Sequence, residues 1–272
     1  MLREQSYMDT TPIRIAQISD IHLFANPQSE LLGVKTEESI RAVAVLLQKA
    51  DPQPDLIILS GDLAQDFSET AYLRIIEIFK EWNIPIYYLP GNHDDPKVMT
   101  KTYQGTPFQA GPVIALNHWE IILLNSHKPG AVEGYLAETE LALLKNFLQL
   151  NQDKHAAIVF HHQPYPVGCA WLDNLCLKNA NAFWEIVSEF HRVKLVLFGH
   201  IHQVSEKKYN GIPCYSAPST CIQFKTQSDR FALEKLPPGY RWIELHANGS
   251  IHTEVRRTKN YVGRFEAKAK GY

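Results

Sequence analysis

Long apolar runs are missing from this chain. The longest, such as Ile121–Leu124 and Leu195–Phe198, have only the length of a strand. A membrane-crossing helix needs about 20 apolar residues, so none is expected. The N-terminus, Met1 to Thr11, is polar, carries Arg3, Glu4 and Asp9, and offers no apolar core of a secretory signal. Cysteine is scarce: Cys169, Cys176, Cys214 and Cys221 are the only 4 in 272 residues, and no two form a C-x-x-C pair. That pattern excludes a disulfide framework or a cysteine zinc site and reads as reduced thiols in a cytoplasmic protein. Neither sign of charge dominates, with 27 Lys+Arg against 29 Asp+Glu and a net charge of −2. Phosphate backbones select basic surfaces, so a nucleic-acid partner is not expected either. Repeats and low-complexity stretches are absent. What remains is an ordinary globular composition, 45% hydrophobic and 21% charged, with a notable 12 histidines.

Apolar strands alternate with amphipathic helical patterns. Strands are expected at Ile13–Ser19, Leu56–Ser60, Ile86–Pro90, Val113–Leu116, Trp119–Asn125, Ala156–Phe160 and Leu195–Phe198. Helices are expected at Thr36–Ala50, with Thr36 as its cap, then at Ser68–Trp82, Glu138–Leu150 and Ala182–Phe190. Towards the C-terminus, Asn210-Gly211 and Asn248-Gly249 read as type I′ hairpin turns. The fold class is therefore α/β, with two packed mixed β-sheets flanked by helices, βα order first and antiparallel pairing later. No linker interrupts the chain. Residues 13–257 are expected to form one domain, between a flexible N-terminal tail at 1–12 and a C-terminal tail at 258–272. The stretch Gln163–Asn179 is too long for a plain connection, which points to a functional loop.

Chemistry collects at the strand ends. Asp20-Ile21-His22 follows the first strand, Gly61-Asp62 the second and Gly91-Asn92-His93-Asp94 the third. His161-His162 and Gly199-His200-Ile201-His202 follow two later strands. In α/β sheets the C-terminal edge is where ligands bind. Mixed nitrogen and oxygen donors suit first-row divalent metals. D-x-H and H-x-H place two donors on one side and return Ile21 and Ile201 to the core, while Gly61, Gly91 and Gly199 allow sharp turns. The set exceeds what one ion recruits, and two ions sharing a carboxylate is the natural count.

The ordered set D-x-H, G-D, G-N-H-D, H and G-H-x-H resembles the calcineurin-like metallophosphoesterases. Further segments look like the bacterial class III 3′,5′-cyclic AMP phosphodiesterases: Ser19–Val34, Gly61–Asp66, Leu89–Asp94, His161–Asp173, Gly199–Gln203, Ala217–Phe224 and Pro238–Gly249. The similarity runs from about Ile13 to Arg257. The resemblance implies hydrolysis of 3′,5′-cyclic AMP to 5′-AMP at a dinuclear metal centre with a bridging hydroxide nucleophile. It implies Asp20, His22 and His202 on the first ion, Asn92, His161 and His200 on the second, and Asp62 bridging. His93 would bind no metal and would donate a proton to the departing 3′ oxygen. The substrate phosphate would face His22, Asp62, Asn92, His93, His161 and His202, with His162 packing behind.

The implied cofactors are two divalent ions per chain, Fe2+ favoured, with Mn2+, Co2+ and Zn2+ also suited to such donors. The implied partner is a small cyclic nucleotide; no membrane is expected, and the oligomeric state is left open. Alternatives that keep the same ions are another phosphodiester, such as a glycerophosphodiester or a 2′,3′-cyclic nucleotide, or a phosphomonoester. A nuclease lacks its basic stripe. A non-catalytic binding module would have lost ligands, and every expected ligand is present.

One departure stands out. Many members of the superfamily carry Asp or Asn three residues after the bridging aspartate; here that position is Gln65. If that group orients His93, then Asp66 or Asp94 has to replace it, or His93 is less polarised. Tyr165, Trp171 and Leu172 in the long loop either cover a base or pack the loop onto the domain. His118, His127, His155, His191, His246 and His252 fit no motif and read as surface or packed histidines.

Overall fold

The computed structural model describes residues 11–259, 261, 263–266 and 268–271. Apart from Thr11 and Pro12, the expected N-terminal tail lies outside the described residues. Two six-stranded sheets face each other. The first runs, in spatial order, Ile251–Arg257, Gly239–Leu245, Ile13–Ile18, Leu56–Ser60, Ile86–Leu89 and Phe108–Gln109. The second runs Glu206–Tyr209, Ile212–Ser216, Val193–Phe198, His155–Val159, Trp119–Leu123 and Val113–Ala115. Ile13–Ile18, Leu56–Ser60 and Ile86–Leu89 are parallel neighbours, as are His155–Val159 and Val193–Phe198. Their C-terminal ends therefore share one edge of each sheet.

Strand alternation assigns each side chain to a layer. Ile15, Ile58, Leu89, Ile121, Val159, Leu197 and Ile243 fill the space between the sheets. Ala16, Ile18, Ile57 and Leu59 face outward onto helices Thr36–Gln48 and Glu69–Phe79. Ile158, Phe160, Val196 and Phe198 do the same on the second sheet, against helices Glu138–Gln149 and Ala180–Ser188. The result is the expected sandwich, helix layers outside two sheets. Buried Gln17 crosses the middle, its Nε2 donating to Ser60 Oγ and to Phe198 O, each at 3.0 Å. This clamp ties the sheets together next to the edge where the motifs emerge.

Two local expectations are corrected. Thr36 is the first helical residue rather than the cap; Lys35 precedes the helix and makes no capping side-chain bond. Asn210 and Gly211 are both left-handed, as a type I′ turn needs, at φ 48° and 82°. At the second site only Gly249 is left-handed, at φ 84°. There the strands pair up to Leu245 and Ile251, leaving a longer loop in which Asn248 Oδ1 accepts from Ser250 N and Oγ.

Beyond Arg257 the chain returns to the Glu30–Lys35 hairpin: Tyr261 Oη donates to Lys35 O and Glu266 N to Leu32 O. The long loop is anchored by packing. Tyr165 is buried and stacks on Tyr209, Leu172 lies in the core, and Trp171 meets Phe224 and Phe231 edge-on. Cys169, Cys176, Cys214 and Cys221 are all free thiols. No helix among the described residues is long and apolar enough to cross a membrane.

Candidate metal centre

Asp20, His22, Asp62, His200 and His202 all hold left-handed backbone, with φ between 47° and 66°. Such φ is uncommon outside glycine and costs of order 1–3 kcal/mol per residue, so a cluster of five marks a functional site. The conformation is imposed by ladders between loops. Asp20 N donates to Gly61 O and His22 N to Asp62 O, while Gly199 N donates to His161 O. The left-handed steps turn the D-x-H and H-x-H donors inward, and Ile21 and Ile201 are fully buried behind them.

The three glycines work differently from expectation. Only Gly61 uses left-handed freedom, at φ 93°. Gly91 and Gly199 are needed for space: a Cβ on Gly91 would overlap the Asp62 carboxylate, and one on Gly199 would overlap Ser19 Oγ.

Histidine orientation follows from outer partners. His161 Nδ1 lies 2.8 Å from Ser60 O and His202 Nδ1 lies 2.9 Å from Ile222 O. A carbonyl only accepts, so each Nδ1 carries a proton, and Nε2 is the nitrogen that would present a lone pair to an ion. His22 Nδ1 sits 2.6 Å from Gln65 Oε1, which fixes the same tautomer. The three Nε2 atoms meet at the carboxylates: His202 Nε2 is 3.3 Å from Asp20 Oδ1, His161 Nε2 is 3.1 Å from Asp62 Oδ2, and His22 Nε2 is 3.8 Å from Asp62 Oδ2. Donor atoms of Asp20, His22, Asp62 and His202 all lie within 4.8 Å of one another, and so do those of His161, His162 and His200.

The donor set fits divalent cations. Asp20 Oδ2, Asn92 Oδ1 and His200 Nε2 are buried and have no hydrogen-bond partner. Orphaned buried acceptors are costly, and three on the expected ligands are accounted for by positive charge between them. His22 Nε2 and His202 Nε2 approach to 3.0 Å in a fully buried place. Two lone pairs so disposed are satisfied by a cation beside them.

Electrostatics agree. Burial drives the His22 imidazole down to about 3 and His200 well below its usual range. Burial also works against the Asp62 charge, yet His161 and His93 hold that carboxyl well below the carboxylate range. For His161, burial lowers the value, but the nearby Asp62 and Asp20 charges overcome it and raise the imidazole to about 9.

His162 joins the second cluster by proximity only. Its Nδ1 lies 2.8 Å from Ser126 Oγ and its Nε2 lies 3.1 Å from Val132 O, so both nitrogens are engaged by protein. His93 is half-buried at the mouth, its ring edge-on to His22 at 5.1 Å and its backbone N donating to Asp62 Oδ1 at 2.8 Å. The Gln65 question resolves unexpectedly, because the carboxamide serves His22. Asp66 accepts from Ala25 N and Ser68. Asp94 accepts from the Leu63, Ala64 and Gly91 amides and Tyr72 Oη, locking the third loop to the second.

Sequence reasoning missed a sixth strand end. Trp119–Leu123 lies beside His155–Val159 and delivers Asn125 and His127 to the same edge. His127 lines a cleft together with Asp94 and Asp95. The cue was a His two residues after an Asn at a strand end. His155 instead packs on the Trp119 indole.

The sequence profile of the calcineurin-like phosphoesterases matches residues 13–204. A 3′,5′-cyclic adenosine monophosphate phosphodiesterase, CpdA, of Haemophilus influenzae is 40% identical over 246 residues, covering 90% of both chains. The protein of the same name from Escherichia coli K12 is 39% identical over 261 residues, 96% of this chain and 95% of its own. A 3′,5′-cyclic-nucleotide phosphodiesterase of Nostoc is 37% identical, covering 90% of this chain and 92% of its own. Among solved structures, a dimetal phosphatase of Danio rerio shares the fold with TM-score 0.64 at 13% identity, covering 91% of this chain and all of its own. With strand-end donors, buried lone pairs and a profile match across most of the chain, this protein belongs to the calcineurin-like phosphoesterase family.

Proposed function

We propose that the chain hydrolyses 3′,5′-cyclic AMP to 5′-AMP, and that it does so on two divalent ions. Asp20, His22 and His202 would hold the first, Asn92, His161 and His200 would hold the second, and Asp62 would serve both. The observation that carries this reading is the set of partnerless buried ligand atoms on Asp20, Asn92 and His200. The cyclic AMP assignment is supported by relatives of that name matching along nearly the whole chain.

Ions in such a site supply charge to the phosphate oxygens and lower the pKa of bound water from 15.7 to near 7. The chain's own residues do the rest. Ser60 O, Ile222 O and Gln65 Oε1 keep three imidazoles in the ligating tautomer. The His93 amide holds the Asp62 carboxylate in place. Water would add at phosphorus and give up a proton to solvent, the bond from phosphorus to the 3′ oxygen would break with its electron pair on that oxygen, and His93 would give its proton to that oxygen and regain one from solvent. Fe2+ is favoured over Mn2+, Co2+ and Zn2+ by family resemblance.

The test is a kinetic comparison of cyclic AMP, cyclic GMP, 2′,3′-cyclic AMP and p-nitrophenyl phosphate on metal-analysed protein. The highest kcat/KM is expected for cyclic AMP, with two ions per chain. A value for cyclic AMP far below the others overturns the substrate and leaves the fold intact.

A further inference from the structure

Phe67 has its backbone at φ 56°, a region in which a bulky side chain is a genuine outlier. Its ring is 51% exposed, and it has no ring partner among the described residues. The strain is imposed by the flanks: Asp66 is tied to Ala25 N, and Ser68 caps helix Glu69–Phe79 by accepting from Ala71 N. A strained, outward-held aromatic with no packing role is a sign of function.

Phe67 forms one wall of a cleft of about 580 Å³. Asp94 and Asp95, directly after His93, line it too, together with Lys97, Asn125 and His127. That volume lies within the roughly 300–1,000 Å³ of small-molecule sites. The Asn125 carboxamide oxygen accepts from His127 N, which leaves its NH2 group without a partner among the described residues. The His127 ring likewise has no hydrogen bond there. Burial, the larger influence, lowers His127 and favours its neutral form, able to donate at one nitrogen and accept at the other. The lining thus offers a flat apolar face at Phe67 and unspent donors and an acceptor at Asn125 and His127.

We propose that this cleft receives the nucleobase of the substrate, with the Phe67 ring stacked on its face and Asn125 and His127 reading its polar edge. The inference rests on the cyclic-nucleotide reading above and deepens it. The phosphate lies at the metal centre and the base reaches outward past His93. Loop strain then serves to hold the ring ready before substrate arrives.

The experiment compares wild type, Phe67→Ala and Phe67→Gly on cyclic AMP and on the base-free 3′,5′-cyclic phosphate of 1-O-methylribose. Loss of one base–aromatic stack is expected to raise KM for cyclic AMP about 5- to 100-fold, with kcat and the base-free substrate little changed. Phe67→Gly, which relieves the left-handed strain, keeps or raises Tm while losing the same affinity. Phe67→Trp restores KM. His127→Ala shifts the ratio of cyclic AMP to cyclic GMP. An unchanged KM in both truncations, an equal loss on both substrates, or a wild type that handles the base-free analogue as well as cyclic AMP overturns the inference. A wild type inactive on cyclic AMP, seen before any variant is made, instead overturns the functional reading on which the inference rests.

Discussion

Gln65 Oε1 lies 2.6 Å from His22 Nδ1, so the residue three positions after Asp62 orients His22, a proposed metal ligand, rather than His93. A neutral carboxamide fixes the His22 tautomer without adding negative charge to a buried site. Removing such an outer partner typically weakens metal binding about 10- to 100-fold. Gln65→Ala is therefore expected to lose one of two ions first, with Gln65→Glu retaining both. Chelator competition and elemental analysis check this. Full metal content and unchanged affinity in Gln65→Ala would show that His22 is held by other means.

The protonation of His161 sets a pH dependence. Its folded value, raised to about 9 by the Asp62 and Asp20 charges against the effect of burial, lies above the ordinary 6.5. The proton therefore stabilises the ion-free protein fully below about 6.5, and this stabilisation is lost as pH rises through 9. An incoming ion has to displace that proton. The low values of His22 and Asp62 mean that these ligands release none. Apparent affinity for Mn2+ is expected to rise about tenfold per pH unit between 7 and 8.5 and to level off above 9. A flat profile measured by chelator competition would contradict a protonated His161.

The five strand-end motifs were legible because their residue types carry the chemistry and the strands before them are plainly apolar. Layer assignment was not, since Ile15 and Ile58 face the other sheet and Ala16 and Ile57 the helices, yet all four are apolar. What was not legible is tertiary. Gln65 reaches His22 only because the Leu23–Ala64 bridge aligns their loops. Phe67 and His127 line one cleft although 60 positions apart, and nothing local to either marks a ligand wall. The Asn248 turn failed because pairing stops at Leu245 and Ile251, leaving five residues where a type I′ turn has two.

Gly91 is a test of close approach rather than of backbone freedom. Its φ is not left-handed, yet an added Cβ would overlap both the Asp62 carboxylate and its amide. The amide is backbone and the carboxylate is pinned by the His93 amide, so Asp62 has to move. A displacement near 1 Å at a reacting centre costs about 100-fold in rate. Gly91→Ala is expected to lose at least that much kcat/KM along with metal occupancy. Gly111→Ala, where an added Cβ meets nothing within 4 Å, serves as the silent control. Wild-type kinetics in Gly91→Ala would mean that the two loops are not as tightly locked as the Asp94 clamp indicates.

His93 separates a leaving-group acid from a phosphate clamp. Its imidazole lies outside the donor clusters, and its link to Asp62 runs through the backbone amide, which alanine retains. His93→Ala is therefore expected to keep its ions by elemental analysis. General acid assistance is typically worth 10²–10⁴-fold, so kcat for cyclic AMP should fall by about that factor. The 3′ alkoxide is a poor leaving group and needs the proton, whereas p-nitrophenolate departs without one. If His93 acts as the acid, the variant loses far less on p-nitrophenyl phosphate than on cyclic AMP. Equal losses on the two substrates would assign His93 to binding the phosphate oxygens, a contact both substrates share.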